Sequence, residues 1–174
     1  MPMGAVEHVV VTGLMGAGKT TVGRELAGRL GWSWRDSDAD IEASTGSTVR
    51  ELRDREGVDA MHARESAQLL DALAAPGPMV VSAAASVIED AAAKVAMTAP
   101  GVLVIWLHAR PDVLAERFAS SDDHRPTYGE TPEAFLAEQA ARREPLLGAI
   151  GAHVVDIDGL EPDEVVGRVL AVLG

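Results

Sequence analysis

The chemistry most legible in this chain lies in Gly13-Leu14-Met15-Gly16-Ala17-Gly18-Lys19-Thr20. The spacing is that of a phosphate cradle, G-x-x-x-x-G-K-[ST]. Gly13, Gly16 and Gly18 let the backbone bend and turn successive N–H groups inward as an anion nest. A helix that starts where the loop ends adds the positive end of its dipole. Lys19 supplies a mobile point charge for the β- and γ-phosphates of ATP, and the Thr20 hydroxyl is placed to ligate Mg²⁺. Met15, Ala17 and Thr21 complete the stretch expected to contact the nucleotide. The chain has only two lysines, Lys19 and Lys94. A composition that otherwise uses arginine therefore keeps a lysine where a cradle needs one.

Acidic residues form a second group, Asp36-Ser37-Asp38-Ala39-Asp40-Ile41-Glu42. Asp40 and Glu42 suit the first turn of a helix starting near Ala39, where negative charge meets the dipole. Asp36 and Asp38 fall at the carboxyl end of an expected strand, where open α/β sheets place their ligands.

These residues need elements to hold them. His8-Val9-Val10-Val11-Thr12 is a short apolar, β-branched run and reads as a buried strand. Beyond the loop, Val22, Leu26, Ala27 and Leu30 have helical spacing, and Gly31 is a stop signal. Further strands are expected at 32–35, 79–82, 102–107 and 152–156. Helices are expected near 39–46, from a Ser47 cap, and over 58–75, 87–97, 110–119, 132–147 and 161–173. Thr131-Pro132 has the cap and first-turn residues of a helix start. Residues 120–130 are polar and irregular, long enough for a lid. Five strands alternating with helices predict an α/β sandwich with a mostly parallel sheet.

Composition bounds the rest. A length of 174 residues suits one domain, 1–174, with a real core. The absence of cysteine excludes disulfides and Cys-based metal sites. The first seven residues lack the regions of a signal peptide, and no apolar run approaches membrane-spanning length. A formal charge of −12 argues against a nucleic-acid partner. A cytoplasmic, monomeric enzyme that binds neither nucleic acid nor membrane is expected.

With those motifs in place, the chain resembles the shikimate kinase family of small P-loop kinases over nearly its whole length. The strongest part runs from Gly13 to Glu42, G-L-M-G-A-G-K-T-T-V-G-R-E-L-A followed by D-S-D-A-D-I-E. The resemblance implies a P-loop three-layer sandwich, with five parallel strands in the order 2-3-1-4-5, and a lid. It also implies an ATP-dependent small-molecule kinase of shikimate kinase type, which transfers the ATP γ-phosphoryl group to a hydroxyl of shikimate or a related acceptor. By the same resemblance Asp36 helps hold Mg²⁺, Asp38 binds the acceptor hydroxyls and takes the proton, and Arg125 reaches the transferring phosphate from the lid. Arg143 grips the acceptor carboxylate, while Arg117 and Pro162 sandwich the adenine. Arg110 and Arg168 are expected to be plain surface charges.

Two positions depart from the family pattern. His62 stands where an arginine for the acceptor carboxylate is expected; it is shorter and lacks the guanidinium fork. Arg64 lies two residues on, about 200° around a helix, and points away. Ala83-Ala84-Ala85 replace three glycines at the acceptor-site floor, costly if any needs φ > 0. With Arg143 as the one arginine left, shikimate is expected to be a poor acceptor. The alternatives are a kinase for another sugar acid or polyol, gluconate-like, or a nucleotide-binding module without kinase activity.

Overall fold

The computed structural model describes residues 5–119 and 131–174. The expected lid, with Arg125, lies outside the described residues. Five strands form one sheet: β1 (His8–Gly13), β2 (Ser33–Asp36), β3 (Met79–Ala84), β4 (Val102–His108) and β5 (His153–Asp156). All pairings are parallel and the order is β2-β3-β1-β4-β5, as the resemblance implied. Helices α1 (Lys19–Leu30), α2 (Ser37–Thr45), α3 (Val49–Glu56), α4 (Val58–Ala74), α5 (Ala91–Met97), α6 (Pro111–Ala119), α7 (Pro132–Ala149) and α8 (Pro162–Leu173) flank it.

The observed strands match the expected ones to within two residues at either end. Val9, Val10 and Val11 are fully buried, as a central parallel strand covered on both faces requires. The helix starts differ more, because side-chain caps decide them. α2 begins at Ser37 rather than near Ala39, since the Asp36 carboxylate accepts the Ala39 N–H at 3.0 Å and caps the helix itself. α3 is capped by Thr48, not Ser47. Thr48 Oγ1 accepts from Glu51 N at 3.2 Å, and Glu51 Oε2 accepts from Thr48 N at 2.9 Å, a reciprocal capping box. The helix expected over 87–97 is a 3₁₀ turn, Ala85–Glu89, followed by α5, because Asp90 caps a new start by accepting from Ala93 N.

The register positions the site. Gly13 at the end of β1 lies beside Ala84 of β3 and Leu107 of β4. The chain leaves β1 toward β2 but leaves β3 toward β4, so a crevice opens at their carboxyl ends. α1 packs closely on β3 at Gly23, where a Cβ would stand 2.1 Å from Ser82 Oγ. A second, small core of Ile41, Leu52 and Met61 holds α2, α3 and α4 together over one side of the crevice.

Candidate active site

The loop after β1 folds as its glycines demand. Gly16 and Gly18 have φ of 86° and 85°, in the left-handed region that disfavours side chains. Ala17 N–H donates to Leu14 O at 3.1 Å and closes the turn. Lys19 Nζ donates to Gly13 O at 2.8 Å and Leu14 O at 3.3 Å, which holds the ammonium across the loop. Thr20 Oγ1 donates to Asp36 Oδ2 at 2.7 Å, and Thr21 follows in the first turn of α1. Ser82 Oγ donates to Lys19 O at 2.8 Å and accepts from Trp34 Nε1 at 3.1 Å. These bonds tie the loop to the carboxyl ends of β2 and β3. The adjacent hydroxyl and carboxylate of Thr20 and Asp36 are the hard oxygen donors that suit Mg²⁺.

A cavity of about 280 Å³ opens beside the loop. Gly13, Met15, Lys19 and Thr20 line it together with Asp36, Asp38, Ala83, Ala84 and Ala85; Thr20 bonds to Asp36, and Gly13 lies beside Ala84 in the sheet. His62 and Glu65 come from α4, Arg53 from α3, and Arg142 and Arg143 from α7. The fold thus gathers the sequence candidates Lys19, Thr20, Asp36, Asp38, His62, Ala83–Ala85 and Arg143. Arg117 and Pro162 do not line this cavity. Arg117 lies in α6, whose backbone presses on the loop: a Cβ at Gly16 would meet Leu114 O at 3.1 Å and Arg117 Cβ at 3.6 Å. Pro162 begins α8, which packs against α1.

Two expectations about the acceptor side change. Among the described residues no non-glycine residue has positive φ, so the floor alanines carry no backbone strain. Arg143 is also not the only arginine present, since Arg53 and Arg142 line the same cavity. Arg64 does point elsewhere, pairing with Glu56 at 2.8 Å. Arg110 pairs with Asp112 at the surface and Arg168 is likewise exposed, as expected.

Charge in the cavity is held by burial and neighbours. Glu89 bridges the two α7 arginines, 2.6 Å from Arg142 Nε and 3.2 Å from Arg143 Nε. Burial lowers the pKa of Arg143, an effect opposed by Glu89. Burial likewise lowers that of His62, and the charges of Arg143 and Arg53 push the same way against Glu89 and Asp59. Burial raises the pKa of the Glu65 carboxyl and Asp38 adds to this, while the Ser86 hydroxyl donating to it, Lys19 and Arg143 pull the other way. Sequence reasoning missed Arg53, Glu65, Ser86 and Glu89 as site residues. Only Glu65 left a readable signal, three residues after His62 on one helical face.

The geometry has close counterparts. A family model described as "Shikimate kinase" matches residues 15–174. The chain is 37% identical over 167 residues to shikimate kinase 2 of Sodalis glossinidius, covering 94% of each protein. It is 36% identical over 167 residues to a shikimate kinase of Halorhodospira halophila, covering 95% of this chain and 93% of that one. The solved shikimate kinase of Acinetobacter baumannii in complex with shikimate superposes with a TM-score of 0.87 at 25% identity, covering 97% of this chain and 93% of that one.

Proposed function

The chain belongs to the shikimate kinase family, and on that premise we propose which acceptor it uses and how its own residues act on it. It is an ATP-dependent phosphotransferase acting on a hydroxyl group. The proposed acceptor is shikimate, the ligand in the A. baumannii complex. The observation that carries this reading is a single cavity lined by the cradle lysine, Asp38 and the arginines Arg53, Arg142 and Arg143. Such a cavity suits a hydroxyl to be phosphorylated on a molecule that also bears a carboxylate. The gluconate-like kinase and the inactive binding module have no better support.

Catalysis here is mostly positioning and charge. The N–H groups of Gly13–Lys19 and the Lys19 ammonium bind the β- and γ-phosphates, with the nucleotide running on past Met15, Ala17 and Thr21 toward Arg117 and Pro162. The acceptor hydroxyl attacks the γ-phosphorus in line. Its proton passes to Asp38, and the bond to the bridging oxygen breaks with its electron pair going to ADP. Thr20 and Asp36 would hold Mg²⁺, which supplies charge neutralisation at the phosphate oxygens. Arg143 receives the acceptor carboxylate and the alanine floor limits its depth. Arg125 is assigned to the transferring phosphate by family resemblance alone. A monomeric, cytoplasmic enzyme of one domain belongs to the same proposal; among the described residues no helix is long and apolar enough to cross a membrane.

The test is ADP release coupled to detection of the phosphorylated product, with shikimate and gluconate compared at equal concentration. Turnover of shikimate well above gluconate is expected. Turnover of gluconate alone would sink the acceptor assignment.

A further inference from the structure

We propose that Arg53 of α3 is a specificity-determining residue, gripping the acceptor carboxylate together with Arg143 and so filling the role that His62 does not perform. This deepens the shikimate reading and rests on it.

His62 is a weaker match for a carboxylate than arginine, being shorter and without the guanidinium fork. It is half-buried, and burial together with the charges of Arg143 and Arg53 lowers its pKa. Glu89 accepts from both Arg142 and Arg143 and offsets part of their charge. A further guanidinium reaches the same cavity from α3, that of Arg53. It lines the cavity, and its Nε atom is buried. Arg53, His62 and Arg143 line the same cavity, and the charges of both arginines act on His62.

The reason Arg53 faces inward is local. Leu52 is 1% exposed and anchors α3 in the small core with Ile41 and Met61. The next residue lies about 100° around the helix, which turns Arg53 from that core toward the cavity. An arginine here is also the right chemistry. Its fork can match both oxygens of a carboxylate, which a histidine in this position cannot. The guanidinium expected from α4 thus comes from the neighbouring helix.

Calorimetric titration with shikimate and with its methyl ester, on wild-type protein and the Arg53→Gln and Arg53→Lys variants, tests this. Loss of one charge-assisted contact predicts roughly ten- to a hundredfold weaker shikimate binding in Arg53→Gln, with partial recovery in Arg53→Lys. ATP affinity should be unchanged, and the ester should bind wild type and variant alike. KM for shikimate should rise more than kcat falls. Adding His62→Arg to Arg53→Gln should restore at least tenfold, since a guanidinium then returns from α4. Shikimate binding within twofold of wild type in Arg53→Gln would overturn the proposal. So would equal loss of ATP and shikimate affinity in both Arg53 variants, which marks a structural role. Wild-type protein that binds shikimate without phosphorylating it overturns the acceptor reading above and leaves this one to the binding data. Wild-type protein that does not bind shikimate overturns both.

Discussion

Thr20 Oγ1 and Asp36 Oδ2 stand 2.7 Å apart, joining the first helical turn after β1 to the last residue of β2. The same carboxylate caps α2 through Ala39 N–H. Asp36 therefore has a structural duty and a proposed metal duty at once, and its neighbour Asp38, two residues on, stands at the start of the helix that Asp36 caps.

The two aspartates should separate in kinetics. Asparagine caps a helix about as well as aspartate, so Asp36→Asn should keep the fold and act mainly by raising the Mg²⁺ requirement. Asp38→Asn should lower kcat by about a hundredfold or more at saturating Mg²⁺, because the proton acceptor is gone. Titrations of rate against Mg²⁺ for both variants decide it; identical metal dependence would merge the roles. Asp36→Ala should in addition lose about 1 kcal/mol of stability through the cap.

Lys19→Ala should abolish most phosphoryl transfer. Removing one preorganised charge from a transition state costs on the order of a hundred- to a thousandfold in rate. Folding should survive, since Lys19 Nζ donates to carbonyls of its own loop, Gly13 and Leu14. Single-turnover transfer at wild-type rate would refute the cradle assignment.

The pH dependence follows from His62, whose pKa lies below the ordinary 6.5 in the folded chain. The unfolded state then binds more protons than the folded one just below that value. Stability from keeping His62 neutral is present above about pH 6.5 and is lost as pH falls through the folded pKa. An acceptor carboxylate nearby opposes this by favouring the imidazolium. Shikimate should accordingly bind more tightly, with proton uptake, as pH falls from 7 toward 5.5. His62→Gln should flatten both the melting-temperature and the affinity profiles over that range.

Leu52→Ala should show that the small core positions the acceptor wall. Truncating a fully buried leucine costs about 2–5 kcal/mol. Urea unfolding should reveal that loss. In the folded fraction, KM for the acceptor should rise while ATP affinity changes little, because Leu52 packs with Ile41 and Met61 and not with the loop after β1. An equal effect on both substrates would argue that the wall and the cradle move as one body.

What the sequence by itself determined is what depends on neighbours along the chain. The cradle from Gly13 to Thr20 was legible because its glycines, lysine and threonine act through backbone geometry within eight residues. Most of the strands were legible because they are short β-branched or apolar runs between breakers; β2, Ser33–Asp36, is polar apart from Trp34. Even Asp36 and Asp38 could be singled out, since a strand's end fixes where they emerge. At Ser47 and Thr48 two adjacent polar residues compete for one cap and hydrogen-bond geometry chooses Thr48, while before α5 the Asp90 side chain caps a new start. The acceptor side is of another kind. Arg53, His62, Glu65, Glu89 and Arg143 come from α3, α4, the 3₁₀ turn and α7, and the chain separates them by up to ninety positions. Counting arginines along the sequence near His62 found one lost. Only the packing of α3 on α4, which Leu52 and Met61 enforce, brings another into the same cavity, because a charge acts by distance through space and not by order along the chain.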